Sequence, residues 1–145
     1  MHTVSEVRLT ALSDILWRER RLLDLLRFKL EEERLLLLAG RTEWVNRASH
    51  EVELVLDEVR GAELDRAVAL ADAAAGLRLG PHPTLALLTA AVPMPWAGVL
   101  GAHRRALRVA AREVDRASEA NRVLLRQGLA AARRELDALV EGASL

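Results

Sequence analysis

In the first third of the chain leucine recurs at 9, 12, 16, 23, 26, 30 and 37, in steps of three, four and seven that only a helix brings onto one face. No Gly or Pro interrupts this stretch, so the spacing predicts one helix over 5–39, a rod about 50 Å long at roughly 1.5 Å per residue. Gly40 is placed to end it in the left-handed conformation, and Thr42 to N-cap the next helix after a very short turn. From there Val45, Ala48, Val52, Val55, Val59 and Ala62 recur three and four apart. They predict a second helix over 42–75, with Gly61 as a soft spot. Folded into an antiparallel hairpin, the two seams pair Leu37 with Val45, Leu30 with Val52, Leu26 with Val55 and Leu23 with Val59. The same register sets the two polar interruptions of the first seam, Glu19 and Glu33, opposite Ala62 and Ala48. Each carboxylate is expected to lean past its small neighbour into solvent. The alternative is a buried glutamate paired with an arginine of a third helix, which needs full satisfaction to avoid a large desolvation cost.

All four prolines (Pro81, Pro83, Pro93 and Pro95) lie within 79–102, a stretch with no Asp, Glu, Lys or Arg. Proline at this density excludes a membrane-spanning helix. Residues 76–97 therefore read as a Pro/Gly-rich connector carrying a short helix over 84–91. A last long helix is predicted over 98–140. Its seam has Leu100, Leu107, Val114, Asn121 and Gly128 at one heptad position, and His103, Ala110, Ala117, Leu124 and Ala131 at the other. Beyond Asn121 the apolar residues become bulkier: Leu124, Leu125, Leu129, Leu136, Leu139 and Val140 are more than one narrow seam can use. A similar surplus precedes Gly40. Leu35, Leu36, Leu37 and Leu38 surround the first helix, so the hairpin can bury one or two, and the others must meet a third helix, another subunit or a binding partner. The expected fold is all-α: a long antiparallel helical hairpin plus a long C-terminal helix, forming a coiled-coil-like three-helix bundle in a single domain over 1–145.

Composition agrees with helices. Hydrophobic residues make up 51% of the chain and aromatics only 3%, so the core is built from Leu, Ala and Val, and the strong helix formers dominate. Charge narrows the partners. The formal net charge is zero, which gives no global field for nucleic acid or anionic membrane. Five arginines against eight acids in 40–80, and nine against six in 81–145, make only a mild asymmetry. The absence of cysteine excludes a disulfide framework and thiolate chemistry, and fits the cytoplasm. The start, MHTVSEVRLT, lacks the basic and apolar regions of a signal peptide.

Catalytic and metal motifs are missing from the sequence. No Glu-x-x-His pair exists for a ferritin-like site, and His50-x-x-Glu53 reads as a surface pair. There is no phosphate-cradling Gly-rich loop, no G-x-S-x-G and no H-E-x-x-H, so neither a cofactor nor a metal is expected. Arg104, Arg108, Arg112 and Arg116 form a basic stripe, but Glu113, Asp115 and Glu119 interleave with it, and the reading is a solvated helix face rather than a nucleic-acid surface. The segment RRLLDLLRFK is similar to the arginine-bearing first helix of all-helical chorismate mutases. Their later arginine–glutamate pair and glutamine have no counterpart at matching spacing, and no catalytic residue is assigned.

A more specific likeness lies in WRERRLLDLLRFKLEEERLLLLAGRTEWVNRASHEVELVLDEVRGAELDRA, residues 17–67. It resembles the N-terminal hairpin of the FlgN family of flagellar export chaperones, in its high-GC Gram-positive form. The likeness rests on the Trp-Arg-Glu start, the Phe-Lys-Leu-Glu run, the leucines before Gly-Arg-Thr, the tryptophan of the second helix and the Glu-Val-Glu after it. In the last helix Asn121, Leu124 and Leu125 fit the family's asparagine and leucine pair, while the first of its two asparagines falls at Ser118. The resemblance implies a cytoplasmic chaperone, not an enzyme, that binds the C-terminal helical ends of the hook–filament junction proteins FlgK and FlgL and keeps them unpolymerised for type III export. It also implies client capture by the last helix, where Asn121, Leu124, Leu125, Leu129, Leu136, Leu139 and Val140 are the candidate contacts. Export-apparatus components and a second copy of the chain are further candidate partners. The competing reading is a structural or adaptor coiled coil that self-associates, with these leucines packed on the hairpin or on a twin subunit and Asn121 as a register-setting polar knob.

Overall fold

The computed structural model describes residues 3–143, in which four helices follow one another and no strand occurs. The first, α1, spans Val4–Leu38. It begins one residue before the expected start because Thr3 and Glu6 form a capping box: the Thr3 hydroxyl accepts from the Glu6 N–H, and the Glu6 carboxylate accepts from the Thr3 N–H. Its end is a Schellman turn around Gly40, whose φ is +68°. The Arg41 N–H bonds the Leu36 carbonyl and the Gly40 N–H bonds that of Leu37.

That turn alters the start of α2, Thr42–Ala74. Thr42 is the first helical residue, not the N-cap. Arg41 caps without a side-chain bond, because a guanidinium has only donors and cannot accept from the first-turn N–H groups; its carbonyl accepts from the Val45 N–H as the helix begins. After α2 the connector holds α3, Leu85–Ala91, capped by the Thr84 hydroxyl on the Leu87 N–H. The last helix, α4, runs over Trp96–Ala143, starting two residues before Gly98 and continuing three beyond Val140. Pro95, joined to Met94 by a cis peptide, directly precedes it.

Both α2 and α4 pack along α1, while α2 and α4 have no Cα atoms within 8 Å of each other. Thus α1 is the central member of the three-helix bundle. In the hairpin, Leu23, Leu26, Leu30, Val45, Val55 and Val59 are buried, and Leu37 and Val52 are half-buried. The heaviest packing lies at the base. There Leu9, Leu12 and Leu16 of α1 meet Leu70, Ala73 and Ala74 of α2, Leu88 of α3 and Leu100 of α4. Leu12, Leu16, Leu88 and Leu100 are fully removed from solvent, each stabilising the fold by about 1.5–3 kcal/mol.

Glu19 and Glu33 do not lean into solvent; they are 3% and 5% exposed. Opposite each lies the expected small residue, buried Ala62 or Ala48, and the space this leaves admits the carboxylate inward. One turn past Ala62, Arg66 reaches back to pair with the Glu19 Oε1. The partner thus comes from α2, not from a third helix. Burial raises the Glu19 pKa, and Arg66 opposes that shift. Glu33 is held differently, by hydroxyl and amide donors described below.

Candidate functional site

Three contacts fix how far α4 travels beside α1. Ser13 Oγ meets His103 Nε2 at 3.0 Å, Arg27 donates to Glu113 at 2.7 Å, and Asn121 Nδ2 donates to the Leu30 carbonyl at 2.9 Å. Both helices advance in the same direction through these pairs, so they run parallel, offset by 90, 86 and 91 positions. Carried to the end of α1 at Leu38, the offsets match it to about residue 124–129 of α4. The helix nevertheless continues to Ala143. About 15–20 residues therefore project past the hairpin tip, an overhang of about 20–30 Å.

The overhang keeps an apolar stripe. Leu125 is 40% exposed, Leu129 74%, Leu136 61%, Leu139 72% and Val140 59%. Counting about 100° per residue from Asn121, which faces α1, Leu125, Ala132 and Leu139 fall within about 40° of the same direction. These three thus continue the bundle-facing seam beyond the end of α1, and Leu136, Leu129 and Val140, about 60–100° round from Asn121, widen the stripe on one side of it. Leu124 is half-buried at the point of departure. The hairpin tip below is apolar too: Leu35, Leu38 and Trp44 are 56%, 57% and 45% exposed, and no helix covers them. Gly128, at a seam position, has open space where a Cβ would stand.

Asn121 lies apart from the other candidate contacts. It is 1% exposed, and its amide donates to Glu33 Oε1 at 2.7 Å as well as to Leu30. The second Glu33 oxygen accepts from the Ser49 hydroxyl at 2.7 Å. One carboxylate on α1 thereby ties α2 and α4 together just below the overhang. The side chain expected to touch a client is engaged inside the bundle.

A second polar cluster sits near the base. His103 is 2% exposed and takes the Arg20 guanidinium on Nδ1 at 3.2 Å. Since arginine has only donors, Nδ1 accepts, Nε2 carries the proton, and that proton goes to Ser13. The Trp17 ring meets the imidazole edge-on at 4.9 Å, with Arg20 stacked over the indole at 4.1 Å. Burial, then the Arg20 charge, holds the imidazole pKa below its usual value. Heptad spacing placed His103 on the seam, but nothing in the spacing pointed to Arg20 as its partner. Beside this cluster an open groove of about 770 Å³ is lined by Arg20, Arg21, Arg27, Arg105 and Val109 among others. Two of its four cations are already engaged: Arg20 is turned onto His103 and Trp17, and Arg27 is paired with Glu113.

Among the described residues no helix is long and apolar enough to cross a membrane. No curated protein and no solved structure matches the chain. The family model described as FlgN protein does match, over residues 1–145. That match takes in the hairpin, the connector and the projecting helix alike, and the chain belongs to the FlgN family of flagellar export chaperones.

Proposed function

We propose that the protein is a cytoplasmic chaperone that receives the C-terminal helical segments of hook–filament junction proteins of the FlgK and FlgL kind on the α4 overhang, and holds them unpolymerised for export. The observation that carries this reading is the exposed apolar stripe of Leu125, Leu129, Leu136, Leu139 and Val140 on the part of α4 that outruns α1. A client helix placed there would pack on α4 as α1 does lower down, with anchors at helical spacing. Leu35, Leu38 and Trp44 offer apolar contact to its end. The client trades ordering entropy against apolar burial, which gives a moderate affinity suited to handover. Catalysis has no part in this action.

The test is titration calorimetry with C-terminal peptides of the junction proteins from the same genome, and a flagellin C-terminal peptide as control. Saturable binding of the junction peptides with a negative heat-capacity change is expected. Leu129→Asp with Leu136→Asp should abolish it while helicity by circular dichroism persists, since both leucines stand in solvent. Failure of every peptide to bind, together with a stable oligomer in solution, would replace this reading with the self-associating coiled coil.

A further inference from the structure

The groove beside Trp17 does not end at Arg27. It continues into a second open groove of about 810 Å³, and the two share Asp24, Arg27 and Glu113. Together they follow the boundary of α1 and α4 from Trp17 to Arg34, with no α2 residue in the lining, over about 25 Å at roughly 1.5 Å per residue. Ala106, Ala110 and Ala117 of α4 are half-buried there, and their small side chains let a neighbouring backbone come close. Three large apolar side chains stand along the groove in solvent: Trp17 and Val109 are each 46% exposed, and Phe28 is 59% exposed.

The chain is neutral overall, yet this lining holds six arginines against three acids. Half of the arginines are engaged. Arg20 lies on His103 and Trp17, Arg27 pairs with Glu113, and Arg34 pairs with Glu31. Among the described residues Arg21, Arg105 and Arg116 form no ion pair, and Asp24 is the one lining acid not already paired. The surplus is therefore cationic, and it borders exposed apolar surface.

Spacing says what kind of anion can use it. Arg105 and Arg116 are eleven residues apart on α4, three helical turns, which puts them on one face about 16 Å from each other. One small anion cannot reach both. Trp17 and Phe28 are also eleven residues apart, on α1, so the apolar marks repeat over the same distance. A helix of about three to four turns meets both sets, with apolar side chains on one face and carboxylates on the flank turned to α4. The overhang of the same chain cannot be this helix, since it is the unbroken continuation of α4 past the hairpin tip.

The geometry points to the α1–α4 groove as a second docking surface, for an amphipathic helix of another protein that carries glutamates or aspartates along one flank of its apolar face. The surface is separate from the overhang, so one molecule can hold a client and this partner together. Midway along, Arg27 and Glu113 bridge the groove with side chains 58% and 36% exposed. An ion pair this open is weakly held, and a partner carboxylate can take the place of Glu113 on Arg27. The apolar contacts supply affinity, while the arginines select the partner and set its register.

The probes are two synthetic helical peptides of about four turns with the same leucine face, one flanked by glutamates and the other by lysines. Both are titrated against the full-length protein carrying Leu129→Asp and Leu136→Asp, which removes the overhang as a competing site. The glutamate peptide should bind saturably, and on the order of tenfold more tightly than the lysine peptide at low ionic strength, a gap that narrows with salt. Adding Arg105→Glu and Arg116→Glu should reverse the preference, and adding Phe28→Ser instead should weaken the glutamate peptide. All three side chains are exposed, so the helical signal in circular dichroism should be unchanged. Equal binding of the two peptides, binding of neither, or glutamate-peptide binding that survives the charge reversal overturns the inference. So does a protein that pairs with itself in sedimentation and separates on Phe28→Ser, which assigns the groove to a second copy. The overhang as client site stands or falls by its own peptides in every case.

Discussion

Asn121 offers two amide hydrogens, and both are used within the bundle, on Leu30 and Glu33. Its replacement by alanine leaves a buried carboxylate oxygen without that donor, so Asn121→Ala is expected to cost about 1–3 kcal/mol, read as a lowered midpoint in urea unfolding at unchanged slope. Because Asn121 is buried, client affinity should fall only as far as the bundle loosens. His103 supplies a pH dependence. Its imidazole is held neutral in the fold by burial and by Arg20, with a pKa below the ordinary 6.5. As pH drops through about 6.5 the unfolded chain takes up a proton that the folded chain refuses, so stability is fully present above that value and declines below it. Melting temperatures from pH 8 to 5.5 should show this decline, and His103→Gln should flatten it. Glu19 acts in the opposite sense: its raised pKa favours the fold below 4.5, and that contribution is lost as pH rises through its folded value. The part of the scan just below 6.5, farthest from 4.5, is therefore the cleaner one for His103. The fates of Glu19 and Glu33 show where reading a sequence stops. The register correctly set them opposite Ala62 and Ala48, but a donor reaching from one turn away, as Arg66 does, or from another helix, as Asn121 does, leaves no mark in heptad spacing.

At the scale of helices, periodicity carried most of the information. The seams of α1 and α2 are legible because leucine and valine recur at spacings that no other structure brings onto one face. The seam of α4 is legible too: Leu100, His103, Leu107 and Asn121 are buried, and Ala110, Val114, Ala117 and Leu124 are half-buried. What spacing did not reveal was that this seam outruns its partner, because the offset between α1 and α4 is set by the connector, whose path has no periodic signature. The surplus of leucine after Asn121 was the one sign. Since the overhang touches neither α1 nor α2, removing residues 128–145 should shift the melting temperature by no more than a few degrees. The helical signal should fall in proportion to the residues lost, and client binding should disappear. A large loss of stability would mean that the end folds back onto the hairpin.

For the molecule as a whole, the parallel run of α4 beside α1 separates two tasks in space. The densest core, with Leu12, Leu16, Leu88 and Leu100, lies at the base, and the unfilled apolar surface lies at the far end. Between them stands the tie from Glu33 to Ser49 and Asn121. That tie bears on the overhang through cooperativity. A free helix of this length is marginal in water, chiefly because its first turn is costly to nucleate. The overhang escapes that cost, since it grows out of turns already clamped against α1. Its only remaining expense is propagation, so in the unbound protein order should recede smoothly from Ala143 toward Asn121, and each turn a client covers draws the next one taut.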